Sequence, residues 1–77
     1  MSAAEAQEVK NLLLQSDENY RQLASRHQEL DTRLHELSGK HYLSTSEQFE
    51  EVTLKKRKLA LKDQMEAIAR QYRNRAS

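Results

Sequence analysis

Between about residues 3 and 38, Val9, Leu13, Ser16, Tyr20, Leu23, His27, Leu30, Leu34 and Leu37 recur at alternating spacings of four and three. A line of this kind, sustained over several heptads and flanked by Gln, Glu and Arg, is the pattern of a helix that packs in coiled-coil fashion. It predicts one uninterrupted helix over 3–38, roughly 50 Å long at about 1.5 Å per residue. Gly39, the only glycine, follows the last seam leucine by two positions and reads as a left-handed helix cap. A connection over 39–45 comes next, with Tyr42 and Leu43 expected to fold over the helix end. Ser44-Thr45-Ser46-Glu47-Gln48 then offers two overlapping capping boxes, Ser44 with Glu47 or Thr45 with Gln48. A second helix is predicted over 46–73, with Glu47, Glu50 and Glu51 in its first turns, where the helix dipole favours them.

The second helix carries two apolar lines. Phe49, Val52, Leu59 and Ala67 form one. Leu54, Leu61, Met65, Ile68 and Tyr72 form the other, on nearly the opposite side at about 100° per residue. A short connection makes the two helices antiparallel neighbours. Placing Leu37 level with Ser46 sets Leu34 against Phe49, Leu30 against Val52 and Leu23 against Leu59, with His27 beside Lys56 and Tyr20 beside Asp63. The expected seam is therefore Leu23, His27, Leu30, Leu34, Phe49, Val52 and Leu59. Leu54, Leu61, Met65, Ile68 and Tyr72 are left as an outward stripe, the kind of contiguous apolar patch that marks an interface. Rotation of the first helix about its axis would bring it to either stripe, so the pattern leaves the inward one open. The expectation is an all-α, antiparallel two-helix hairpin, coiled-coil-like and forming a single domain. It would assemble into a homo-oligomeric helix bundle, most simply a dimer.

Composition narrows the function classes. Only 36% of the 77 residues are apolar and 32% are charged, which suits amphipathic helices and leaves no material for a roomy catalytic cavity. Cysteine is absent, which removes disulfides and thiolate metal sites. No apolar run approaches the length of a membrane span. The opening MSAAEAQEV is acidic where a secretory signal would be basic, so the expected setting is the cytoplasm. A net charge of +1 conceals an asymmetry: residues 1–54 are acidic in balance and residues 55–77 basic. Pairing of an acidic helix with a basic one accounts for this. A basic surface of Lys55, Arg57, Lys58, Arg70, Arg73 and Arg75 for nucleic acid or an anionic membrane is the sharper alternative. Cations at 55–58 fan around a helix, however, and do not track one face.

Little in the chain suggests reaction chemistry. His27 at a seam position is expected to hydrogen-bond across the interface and fix register, with a pH-sensing role as the alternative. Tyr20 and Asp63 are expected to form a buried polar pair, with Lys56 or Lys62 as alternative partners for Asp63. His35-Glu36-Leu37-Ser38-Gly39 begins like a zinc-protease HExxH but has Gly39 where the second histidine must stand. Gly39-Lys40 lacks the rest of a phosphate-binding loop. No catalytic, cofactor-binding or metal-binding residue is assigned, and no enzyme activity is expected.

The run Leu54 to Met65, LKKRKLALKDQM, preceded by the spacing His27-x-x-Leu30-Asp31, resembles the YdcH-like family of small bacterial proteins. That family is recognised by a similar Leu-Lys-Lys-x-Lys-Leu-x-Leu-Lys-Asp run after an upstream His-x-x-Leu, and the resemblance spans about residues 17–68. It implies a helical hairpin in a bacterial cytoplasm, with unknown function and no established catalytic residues to carry over. The expected function is a non-enzymatic, self-associating interaction or scaffold module, with docking of a different protein as a variant of the same idea. The alternative is a basic accessory protein that binds nucleic acid non-specifically through the second helix.

Overall fold

The computed structural model describes residues 2–76 and is all-α, with helices α1 (Ala3–Ser16), α2 (Glu18–Ser38) and α3 (Thr45–Ala76). The uninterrupted helix expected over 3–38 is thus two helices, broken at Asp17. The break is capped on both sides. Asp17 takes an extended conformation (φ −118°, ψ 110°), and its N–H donates to the Leu13 carbonyl at 2.8 Å. Its carboxylate accepts the Tyr20 N–H at 2.9 Å, so the residue that ends α1 also caps α2. The Ser16 hydroxyl donates to the Leu12 carbonyl at 2.7 Å, engaging a second acceptor at the end of α1.

The other helix ends are equally explicit. Ser2 caps α1, its hydroxyl accepting the Glu5 N–H at 3.2 Å. Of the two capping boxes in the sequence, the chain uses Ser44 with Glu47. The Glu47 N–H donates to the Ser44 hydroxyl, and the Ser44 N–H donates to the Glu47 carboxylate, both at 3.1 Å. Gly39 is not a left-handed cap. It is right-handed (φ −79°, ψ −8°), with its N–H shared between the His35 and Glu36 carbonyls at 3.2 and 3.3 Å. The helix simply tightens at its end, so glycine's conformational freedom is not used. Leu43 is half-buried in the connection as expected, whereas Tyr42 points into solvent.

Helices α2 and α3 pack side by side, antiparallel, with a register about two helical turns away from the expected one. Asp31 is bonded to Lys58, Leu30 lines a groove with Leu61, and Leu23 lines another with Ile68. The less exposed positions of α3 include a line at spacings of four and three, Glu47, Glu51, Leu54, Lys58, Leu61, Met65, Ile68 and Tyr72, flanked by Glu50, Thr53 and Ala69. That reverses the expected seam: Leu54, Leu61, Met65, Ile68 and Tyr72 turn inward, and Phe49, Val52 and Leu59 turn outward.

Charge explains the choice. The outward line also contains Lys56, Asp63, Glu66 and Arg70, and burying unpaired charges costs several kcal/mol each. From Leu54 to Tyr72 the inward line carries one charge, Lys58, which meets Asp31. Its five large apolar side chains contribute about 1.5–3 kcal/mol each where burial is complete.

The same register accounts for the break at Asp17. With Leu23 level with Ile68, the start of α2 already lies near the end of α3, and a straight continuation would leave Val9 and Leu13 overhanging water. Instead α1, 14 residues and so about 21 Å long, folds back. Ala6 lines a groove with Met65, Glu66 and Ala69, and Val9 lines one with Ala69, Arg70 and Arg73. Helix α1 therefore runs in the same sense as α3 and makes that end three helices thick. The core is correspondingly split. Leu13 and Tyr20 are buried at the three-helix end, Leu37 and Leu54 toward the connection, and among the described residues Leu37 alone is fully enclosed, at 0% exposure.

Three substitutions test this structure. Gly39→Ala should raise the thermal midpoint, by a stability gain of about 0.4–1 kcal/mol. The reason is that a Cβ there meets nothing closer than the Glu36 carbonyl at 3.5 Å. A left-handed cap would instead lose stability. Leu37→Ala should cost about 2–5 kcal/mol in denaturant melts, whereas Phe49→Ala should stay within about 0.5 kcal/mol in melts run dilute enough to keep the chain monomeric.

Candidate interaction surfaces

Ion pairs of Lys58, Arg33 and Lys40 tie α2 and the connection to α3, and they bear on which charges remain available to a partner. Lys58 donates to the Asp31 carboxylate across the helix pair. Arg33 grips Glu50 with both arms of its guanidinium, at 2.9 and 3.0 Å, and reaches Glu36 on its own helix at 3.2 Å. Lys40 bonds Glu47, which is already the N-terminal partner of Ser44. The planar fork of arginine matches a carboxylate in two places at once, so Arg33–Glu50 is the most directional of the three.

These contacts set the carboxyl groups' acidities. The hydrogen bonds from Lys40 and from Ser44 hold Glu47 down at about 2. The bond from Lys58 lowers Asp31, with the Lys58 charge adding to it, and the bond from Arg33 lowers Glu50. Burial pushes the Tyr20 phenol above its ordinary value.

Several expected site residues lie elsewhere than the pattern suggested. The Tyr20–Asp63 pair does not form: Tyr20 is buried where α1 meets α2, Asp63 is exposed on the far side of α3, and no hydrogen bond joins them. His27 shares a groove with Lys58 and Lys62, not with the expected Lys56. It lines this groove, of about 440 Å³, with Lys10, Tyr20, Met65 and Glu66, and has no hydrogen bond across to α3. Leu23, Leu30 and Leu34 are half-buried, and Leu23 and Leu30 line grooves with residues of α3. The expected interface residues Leu54, Leu61, Met65, Ile68 and Tyr72 form the contact of α3 with the rest of the chain.

The apolar surface left to solvent is the other line of α3. Phe49 is 76% exposed, Leu59 60% and Val52 52%. Lys56 stands between Val52 and Leu59, and its aliphatic stem extends the apolar strip while its ammonium stays wet. The exposed Tyr42 lies in the neighbouring connection.

Of the expected basic surface, Lys58 is committed to Asp31, and Lys55 lies 3.5 Å from Glu51. Arg57, Arg70, Arg73 and Arg75 are exposed, but their positions spread around α3. No group of three or more His, Cys, Asp or Glu residues that could hold a metal occurs among the described residues. None of the described helices is long and apolar enough to cross a membrane.

The sequence pattern did not disclose the ion pairs, Arg33–Glu50 and Lys58–Asp31 among them, or the fold-back of α1. A signal for the second was present in Ser16-Asp17-Glu18, a capping residue followed by an acid within an otherwise helical run. The ion pairs had no local signal, because they join residues on separate helices.

The class is thus a small all-α protein of three helices whose surface features are open grooves, ion pairs and one apolar strip. The chain belongs to the DUF465 family, described as a protein of unknown function, whose model matches residues 21–69. YdcH-like proteins belong to that family. The match covers nearly all of α2, the connection and α3 up to Ala69, and leaves α1 outside. No curated protein and no solved structure matches the chain.

Acid should destabilise the fold through the depressed carboxyls. Their charged forms favour the folded state, so this contribution is complete above the unfolded values of about 4. It is lost as the pH falls toward the folded values, about 2 for Glu47. Thermal melts from pH 5 down to pH 2 should show a falling midpoint. The fall should be shallower in Lys40→Met, and raised salt should weaken the effect because the pairs are at the surface.

Proposed function

We propose that this protein is a non-enzymatic interaction module that self-associates through the outer line of α3. The observation that carries this reading is the exposure of Phe49, Val52 and Leu59 at heptad spacing on one side of one helix. The occupant best matched to such a line is a second copy of the same helix. In an antiparallel pair related by a twofold axis near the level of Leu54, Phe49 would face the partner's Leu59, and Val52 the stem of the partner's Lys56. This is the self-complementary geometry of a closed dimer. It buries the strip and keeps Asp63, Glu66 and Arg70 outside it. The assembly is then a helix bundle that presents its remaining polar faces, a scaffold and not a catalyst. Its setting is the bacterial cytoplasm, as likeness to the YdcH-like proteins implies.

A second reading, non-specific binding of an anionic polymer or surface, is supported by Lys56, Arg57, Lys62 and Arg70. These are exposed cations with no ion pair among the described residues. Their spread around α3 favours it less than the apolar strip favours self-association.

Sedimentation equilibrium on the wild type and on Phe49→Asp/Leu59→Lys decides between them. A wild-type dimer that becomes monomeric in the variant, with unchanged helix content, is the expected result. A monomeric wild type that binds DNA or anionic vesicles with a steep salt dependence would replace the first reading by the second.

A further inference from the structure

The junction of α1 with the rest of the chain carries an inference independent of the outer strip. The link is one residue, Asp17, in an extended conformation that any residue adopts, so the fold-back stores no backbone strain. On both sides of it the heptad line continues in phase, through Val9, Leu13, Ser16, Tyr20 and Leu23. Moving φ and ψ of Asp17 alone to helical values would join α1 and α2 into a single straight helix with its apolar line unbroken. What prevents this in a single chain is the register of α2 on α3. Straightening would carry Val9 and Leu13 beyond the end of α3 and uncover the side of α3 at Met65 and Ala69 that α1 now faces.

A second copy removes both penalties. Two straightened chains set end to end, with a twofold axis near Asp17, would each lay their α1 along the other's α3. The direction is correct as well. Within one chain α1 runs in the same sense as α3. After straightening, it is antiparallel to its own α3 and so parallel to the α3 of a partner turned through the twofold axis. Ala6 and Val9 would then meet the partner copy's surface at Met65, Ala69 and Arg73 as they meet their own chain's now, with no new contact chemistry required.

We propose that α1 is an exchangeable arm, and that two copies of this protein interlock by swapping it about Asp17. The balance is set by the hinge. The Asp17 carboxylate on the Tyr20 N–H favours the bend, as does the Ser16 hydroxyl on the Leu12 carbonyl. Short hinges joining identical elements are where such exchange arises. The swapped dimer would be a rod nearly twice the 49 Å length of the single chain.

The absence of cysteine makes the test direct. Chains bearing Val9→Cys alone and Ala69→Cys alone, of different mass, are mixed, unfolded, refolded together and bridged with a short bis-maleimide. A Val9–Ala69 cross-link between the two masses forms when α1 of one chain lies on α3 of another. The expected result is a small heterodimeric band with Asp17 present and at least a tenfold larger one when both chains also carry Asp17→Ala, which removes the cap that favours the bend. Inserting Gly-Gly after Ser16 breaks the straight helix and should abolish the band while circular dichroism stays helical. The proposal is overturned if Asp17→Ala leaves the band unchanged, or if Val9–Val9 and Val9–Ala69 products form equally. Association through the outer strip gives a dimer by sedimentation without this cross-link, and Phe49→Asp/Leu59→Lys should leave the band intact. The two readings therefore stand or fall separately.

Discussion

The meeting of Lys58 with Asp31 is the constraint on which the rest of the structure depends. Between Leu54 and Tyr72 the inward side of α3 carries one charge, and α2 has a carboxylate at the one level where that charge can be answered. Bringing those two residues together places Leu30 by Leu61 and Leu23 by Ile68, so a single pair sets the register of the whole interface. Exposed pairs of this kind contribute little to net stability. Their effect here is to discriminate, because a shift of the helices would press Lys58 against leucine and strand Asp31.

That register has consequences at both ends. At the connection, the first turns of α3 project past the end of α2, where Lys40–Glu47 and Arg33–Glu50 hold the intervening chain against them. Leu37 becomes fully enclosed there. At the opposite end the chain is too long for its partner, and the surplus becomes α1, folded back over α3. The third helix is a product of overlap length more than of any strong breaking signal in the sequence.

The exposed line Phe49, Val52, Leu59 follows from the same choice. A helix with two apolar lines in a small chain satisfies one of them, and the other is left to solvent or to a second molecule. The matched family region, residues 21–69, contains the Asp31–Lys58 pair, the Arg33–Glu50 clasp and the exposed line together. Helix α1 lies outside that region, in keeping with its attachment through a single residue.

By itself the sequence determined the all-α class, the family, the connection around Gly39, the capping of α3 from Ser44 and the existence of two opposed apolar lines on that helix. These depend on local chemistry: heptad spacing, side chains that cap their own backbone, and a composition with no proline inside the helices. Only the tertiary structure decided which line turned inward, which charges paired, how far α3 slid along α2, and that the first helix broke at Asp17. Each of those is a comparison of energies between residues far apart in the chain. The cost of burying Lys56 and Asp63 against that of burying Lys58, or of an overhanging Leu13 against a bent backbone, exists only once the helices are side by side. A residue's propensity is unchanged by a two-turn slide, but its neighbours are all different. The turn residues therefore predicted a seam at Phe49, Val52 and Leu59, and the charges that share their side of the helix moved it to the other.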